Sequence, residues 1–386
     1  MGTIAVPRHA DVVVVGGGVM GLSTAFHLAA AGVERVVLVE RDALGEGSTC
    51  KAAGGVRALF SDEINIRLGQ RGLETFERFG AEFDTEIDLH QVGYLLLAQD
   101  AATMEAFERN AELMTALGLQ ARTVDVAEAA RLSPLISTEG LVGGLFSPRD
   151  GHCTPESVVQ GYARAARRAG ATLHTGTRAT GIEVEDGAVT AVHTSRGTIA
   201  TDTVVCAAGA WSREIAGWVG EDLPIEPLRR QIVVTEPVPQ ARPDTPFTID
   251  FATGFYFHAE GPGLLMGAPE STDSRSFDLN RDPAWLDDLA DCMQRRVPSL
   301  ADVGIRTGWA GLYEMTPDHN AVIGRSETVD GFLYAAGFSG HGFLMGPAVG
   351  EVMRDLHLGK RPFVDVAPLH ASRFAADAGR PELNII

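Results

Sequence analysis

Residues 11–40 read DVVVVGGGVMGLSTAFHLAAAGVERVVLVE. Asp11 is followed by the β-branched run Val12 to Val15, a glycine-rich turn, an alanine-rich helical pattern and a second apolar run ending at Glu40. That succession predicts a βαβ unit. Gly16, Gly18 and Gly21 form G-x-G-x-x-G directly after the first strand and at the opening of the helix. The first glycine permits the tight turn, the second lets backbone approach a pyrophosphate, and the third lets helix pack on strand. Unpaired N–H groups and the dipole at the helix start favour an anion there. Glu40 ends the next strand, where a carboxylate can accept hydrogen bonds from ribose hydroxyls and disfavours a 2′-phosphate. The stretch is therefore read as a dinucleotide site, with NADP the poorer fit.

Outward from this unit, 62–79 and 103–117 carry helical patterns, the second with apolar residues at three and four spacing. Thr154 is placed to cap a helix that opens with Pro155 and stops near Gly170. Strands follow, including 188–193 and an apolar strand within TDTVVCAAGAW that ends at Gly209. Residues 223–310 differ in character, with many prolines, the strand patterns GFYFHAE and GLLMGAPE, and a helix near 284–296. The chain then returns to the strand, turn and helix succession of its beginning, with FLYAAG a strand, GFSGHG a glycine turn and FLMGPAVGEVMRDLH a helix despite Pro347. GFSG is not a nucleophile elbow, because G-x-S-x-G needs glycine where His341 stands.

The fold class that follows is α/β. A discontinuous Rossmann-like cofactor domain is expected from 1–85, 146–222 and 311–386. A substrate domain of α+β character, built on an antiparallel sheet, is expected from 86–145 and 223–310.

Composition narrows the function. The chain has 386 residues, 51 acidic against 32 basic, for a net charge of −19. Such a surface repels nucleic acid and anionic lipid. Four cysteines, Cys50, Cys153, Cys206 and Cys292, include no CxxC pair, so neither a disulfide framework nor a zinc site is written here. The opening residues lack a secretory signal pattern and no run of 18 apolar residues occurs. A soluble, cytoplasmic protein is expected.

The C-terminal strand, glycine turn and helix separate a flavin from a nicotinamide reading, because a plain NAD domain has no need of a second glycine-rich helix start. With GGGVMG and Glu40, the segments GSTCKAAGGVR (47–57), VVCAAGAW (204–211), YEMTPDHNAVIG (313–324) and AAGFSGHGF (335–343) span the chain. In these motifs it resembles the D-amino acid oxidase-like superfamily of FAD-dependent amine oxidoreductases, especially sarcosine oxidases and the related proline, glycine and dimethylglycine enzymes. The resemblance implies an FAD domain of the glutathione-reductase type. It implies ADP contacts from Gly16, Gly18, Val19, Met20, Gly21, Glu40 and Arg41, and phosphate and ribityl contacts from Ser48 and Thr49. Ala179 falls where the family holds adenine by backbone bonds, and Ala208, Gly209 and Trp211 at the strand end that covers the ADP. Gly337, Gly340, His341, Gly342 and Phe343 match the turn whose helix start faces the flavin pyrimidine ring, where N–H groups can stabilise reduced flavin.

On the substrate side, Arg57 resembles the arginine that sarcosine oxidases place for the substrate carboxylate, a task suited to a forked guanidinium; a structural salt bridge is the alternative. Tyr313 would face the flavin's substrate side. Strand alternation puts Tyr256 and His258 on one face, as a pocket roof or as plain core. Three departures from monomeric sarcosine oxidase stand out. Gly311 replaces the flavin-linking cysteine, which implies non-covalent FAD. Leu344 replaces a carboxylate-binding lysine, and Leu265 falls at the oxygen-activating lysine, for which Lys51 is the candidate substitute. The expected function is oxidation of the C–N bond of a small amine, with a secondary or N-methyl amino acid favoured. The imine is then hydrolysed and reoxidation by O2 gives H2O2. The alternatives are a dehydrogenase subunit that passes electrons to a partner, and a non-catalytic FAD-binding subunit. Self-association or a heteromeric partner subunit is compatible with this reading.

Overall fold

A computed structural model describes residues 5–272, 275–375 and 379–384. The quoted stretch folds as read, with strand Val12–Val15, helix Val19–Ala30 and strand Val36–Val39. The two strands pair in parallel, Val12 opposite Val36 and Val15 opposite Val39. They are central in a six-stranded sheet ordered Val322–Arg325, Phe332–Ala336, Val204–Cys206, Val12–Val15, Val36–Val39, Thr172–His174. All neighbours in it are parallel except the first pair. The central strands are buried on both faces, which is why the sequence shows unbroken valine runs rather than alternation.

Alternate residues nevertheless serve different cores. Val12, Val14, Val36 and Leu38 pack with the helices Val19–Ala30, Glu63–Phe83, Pro155–Arg168 and Gly342–His357. Val13, Val15, Val37 and Val39 face the opposite way, against Ile182, Val189, Val192 and Ile199 of a three-stranded antiparallel sheet. The result is three layers: helices, parallel sheet and antiparallel meander.

The second large sheet has eight strands, ordered Ile305–Met315, Glu226–Thr235, Gly263–Ala268, Phe255–Glu260, Phe247–Asp250, Tyr94–Ala98, Gly143–Ser147, Arg122–Val124. It is antiparallel except at one pair, Tyr94–Ala98 with Phe247–Asp250, which is parallel. Two of its strands also overrun the expected boundaries: Gly143–Ser147 passes 145 and Ile305–Met315 passes 310. Their lengths are set by long-range partners, Tyr94–Ala98 and Glu226–Thr235, which local sequence does not reveal.

Other differences are small and have local causes. Helix Glu63–Phe83 outruns the expected 62–79 and stops where Asp84 turns left-handed, φ 53°. The strand expected to reach Gly209 ends at Cys206, the last residue paired with Val15 and Tyr334. The chain then makes a 3-10 turn, Gly209–Trp211. Pro155 opens its helix as expected, although the Thr154 side chain makes no capping bond.

One buried ion pair braces the eight-stranded sheet. Arg296 Nε donates to Asp250 Oδ2 at 2.9 Å, with both side chains almost fully buried. Arg296 also donates to the Ser137 carbonyl, and Gln99 donates to Asp250. Replacing Arg296 with alanine leaves a buried carboxylate uncompensated, so a loss of about 3–5 kcal/mol is expected in denaturant unfolding. A loss under about 1 kcal/mol would show the pair to be dispensable.

Candidate active site

One continuous cleft runs from the parallel sheet to the eight-stranded sheet. At one end stands the glycine turn. Gly16, Gly18, Val19 and Met20 line it, and the helix they open has no side-chain cap. Gly21 does not reach the cleft; a Cβ there would overlap the carbonyl oxygen of Gly16, so its role is the close approach of helix to strand. Glu40 is fixed at the edge, its Oε2 accepting from Gly17 N at 2.6 Å and its Oε1 from Asp42 N at 2.9 Å. Arg41 lies over the Trp211 ring, 3.9 Å from its centroid. Ala179, Ala208 and Gly209 complete this end.

Ser48 and Thr49 follow along the wall. Thr49 Oγ1 accepts from Val19 N at 3.1 Å, tying the segment to the helix start. The Ser48 hydroxyl is buried and has no partner among the described residues. A helix start whose N-cap residue is a glycine, an orphaned hydroxyl beside it and a carboxylate at the next strand end are donors and acceptors suited to a dinucleotide's phosphates and ribose. The residues present therefore fit FAD.

The far wall is formed where the second helix begins. Gly340, Gly342 and Phe343 line the cleft there, as does Leu344. Gly337 and His341 were expected with them, but neither lines it. Gly337 N donates to Glu314 Oε2 at 3.0 Å. The His341 ring turns into the core against Phe60, centroids 5.3 Å apart, and burial pushes its pKa down to about 3. A helix N-cap position points its side chain by backbone geometry, which a glycine-rich motif does not encode.

Arg57, Tyr313 and Tyr256, expected on the substrate side, all line the cleft. Arg57 is buried, and its described partners are carbonyls rather than the carboxylate of a salt bridge. Its Nη1 donates to the Leu59 carbonyl, its Nη2 to the Asn384 carbonyl at 2.9 Å, and its plane lies over Phe60. Asn384 belongs to a tail held by the buried Glu382 carboxylate, which accepts from Ser61, Asn65 and Asn384. Asp150, also buried nearby, takes Ala58 N at 3.1 Å and is pushed up to about 7 by burial.

His258 is a correction. It shares the inner sheet face with Tyr256 but stands behind the cleft wall, its Nε2 3.0 Å from the Ala53 carbonyl and its ring 4.1 Å from that of His152. Burial pushes its pKa down to about 4. Alternation found the face; where the cavity stops along that face depends on neighbouring strands. Lys51 is on the cleft, but its ammonium donates to the Glu46 carbonyl and, at 3.2 Å, to that of Gly47.

Sequence reasoning missed Tyr94, Phe247, Arg230 and Glu314 as lining residues. Arg230 stands opposite Gly311 across two antiparallel strands, and only that register brings it to the cleft. Glu314 is pushed up to about 7 by burial, against the pull of the Gly337 and Phe338 amides. Its folded value lies above the unfolded 4.5. Its stabilising contribution is thus complete below the unfolded value and is lost as pH rises through the folded one. Glu314→Gln should flatten the fall of thermal stability between about pH 5 and pH 8. Identical pH slopes in the two proteins would remove Glu314 as a titrating group.

Comparison with known proteins gives the family. The family model described as FAD dependent oxidoreductase (DAO) matches residues 11–356. The chain belongs to that family. L-proline dehydrogenase from P. horikoshii superposes with TM-score 0.91 at 32% identity, over 97% of this chain and 100% of that one. Mitochondrial dimethylglycine dehydrogenase of Mus musculus is 28% identical over 95% of this chain but only 44% of its own length. Sarcosine oxidase subunit beta of Rhodobacter capsulatus is 26% identical over 90% of this chain and 85% of its own. The chain thus spans less than half the length of the first curated relatives. The family's cofactor is FAD, and the family comprises amine and amino acid oxidoreductases. Among the described residues, no cysteine or histidine lines the cleft, and no helix is long and apolar enough to cross a membrane.

Proposed function

We propose that this chain oxidises the C–N bond of a small amino acid, a secondary or N-methyl amine being favoured, with FAD held non-covalently. Bound FAD would supply the two-electron chemistry by accepting the hydrogen of the carbon next to nitrogen together with its electron pair. Gly16, Gly18 and Glu40 would hold its ADP half, Ser48 its phosphate and ribityl segment, and the Gly340–Phe343 helix start its pyrimidine edge. None of the described residues on the cleft wall offers a thiol or imidazole for a covalent link, which supports the non-covalent reading. The protein's own task is to bind the substrate carboxylate, orient the carbon and exclude water.

The observation that carries this reading is the polar end of the cleft. The hydroxyls of Tyr94, Tyr256 and Tyr313 make no hydrogen bond with any described residue, and burial pushes all three pKa values up. They remain O–H donors at working pH. Arg57 adds a cation beside them, so an amino acid's carboxylate is the group they suit. Loss of hydride from the neutral amine leaves an iminium ion, and water adds to it to release a carbonyl compound and a protonated amine.

The test is anaerobic addition of N-methyl, cyclic and primary amino acids to the FAD-loaded protein while the flavin band near roughly 450 nm is followed. Bleaching by one of them is the expected result; a flavin that no amino acid reduces would leave a non-catalytic subunit as the better reading. Reoxidation by O2, giving H2O2 in a cytoplasmic setting, completes the proposed cycle. A dehydrogenase that hands electrons to a partner subunit is favoured by one observation, the two carbonyls that occupy the Lys51 ammonium. On that geometry Lys51→Met changes the rate of reoxidation by air less than about twofold. A fall of about tenfold would restore Lys51 as the oxygen-side cation.

A further inference from the structure

Among the described residues, Arg230 is a cation without a counter-ion. It lines the cleft from the strand Glu226–Thr235, at the position paired with Gly311 of the facing strand. Its one hydrogen bond to a described residue is a 3.3 Å contact with the neighbouring Arg229 carbonyl, and no described carboxylate lies within ion-pair reach. Its guanidinium lies 5.5 Å from the centre of the Tyr313 ring. The adjacent Arg229 shows the contrast, since it is bound by Glu270 at 2.8 Å.

Arg57 and Arg230 both line the cleft and both act on Tyr313. Tyr94 lies in the field of Arg57, Tyr256 in that of Arg230, and Tyr313 in both. A guanidinium has five N–H groups, so Arg57 keeps three after its two carbonyl contacts and Arg230 keeps four. With the phenols, these donors exceed the roughly four acceptor sites of one carboxylate. Half-buried donors left without partners are costly, and two unpaired cations more so.

We propose that the substrate is an amine carrying two carboxylates, one taken by Arg57 with Tyr94 and the second by Arg230 with Tyr256. Tyr313 stands between them and donates to either. This rests on the amine-oxidation reading above and narrows its substrate class to amino dicarboxylates, in which the second acid group is what selects the molecule. An amine with one carboxylate leaves Arg230 buried by the substrate and unpaired, which discriminates against it.

The experiment compares the FAD-loaded wild type with Arg230→Met, using N-methylglutamate and iminodiacetate against N-methylalanine and sarcosine. The wild type should reduce its flavin with a dicarboxylate at an efficiency at least about tenfold above that for the matched monocarboxylate. Arg230→Met should lose about a hundredfold on the dicarboxylate and less than about threefold on the monocarboxylate. Arg230→Lys should recover part of the loss. Equal losses on both substrates would make Arg230 the anchor of a single carboxylate and overturn the proposal. So would weakened FAD retention with the wild-type preference intact, which would place Arg230 on the cofactor. If no amine reduces the flavin, the functional reading fails, and calorimetric titration with glutarate and butyrate still decides this one. Glutarate should bind at least about tenfold tighter to the wild type, with the difference abolished in Arg230→Met; no difference in the wild type would reject the second anion site.

Discussion

Gly21→Ala is expected to yield a protein that purifies without FAD. A Cβ at this position would overlap the Gly16 carbonyl oxygen and press on Val14 of the first strand. Both obstacles belong to the core of the βαβ unit, where neither backbone nor a fully buried valine can give way. The helix start must therefore move away from the strand end, carrying the amides of Gly18 and Val19 and the Thr49 contact with it. The anion site is geometric, so a shift of about 1 Å there should weaken FAD binding by about a hundredfold or more. Gly217→Ala is the matched control, since nothing lies within 4 Å of its Cβ position. The readout is the flavin-to-protein absorbance ratio, with circular dichroism to show that the fold survives. Full flavin content in Gly21→Ala would mean that the glycine fingerprint does not carry the cofactor.

Arg57→Ala should lower the efficiency of flavin reduction by an amino acid by roughly 10²–10³, mainly through weaker substrate binding. The same change on the decarboxylated amine should have little effect, because the lost interaction is with the carboxylate. Arg57 also donates to the Leu59 and Asn384 carbonyls, so alanine strands two buried acceptors and costs about 1–3 kcal/mol of stability for each. Arg57→Lys separates the two consequences: it retains the charge but not the fork. Stability that recovers while the carboxylate preference stays lost assigns the fork to substrate. Equal losses on both substrates would return Arg57 to a purely structural role, as the brace for the C-terminal tail.

That tail illustrates how far the sequence could be read. Glu382 and Asn384 carry no motif, yet they complete the setting of Arg57 from more than three hundred residues away. The two buried carboxyls, Asp150 and Glu314, were equally silent. An acidic residue in a strand or loop looks solvent-exposed until the elements that bury it are in place, and the shift follows from that burial. His341, singled out by its glycine motif, and His258, singled out by strand alternation with plain core as the alternative, are both packed away from the cleft.

The sequence by itself determined the βαβ unit, its glycine turn, Glu40 as the strand-end acid, and the second helix start at Gly342. These rest on interactions within about thirty residues, between a strand, its turn and the helix it feeds, and such local chemistry leaves a periodic and compositional trace. It also determined which faces are apolar, since burial on both sides of a parallel sheet writes a continuous valine run. Tertiary structure alone brought to the cleft the side chains that no motif marks. Arg230 reaches it through the pairing of Glu226–Thr235 with Ile305–Met315, and Tyr94 through a parallel pairing with Phe247–Asp250. A shift of one residue in either register would turn those side chains to the other face, and nothing within the strands themselves records which register is adopted.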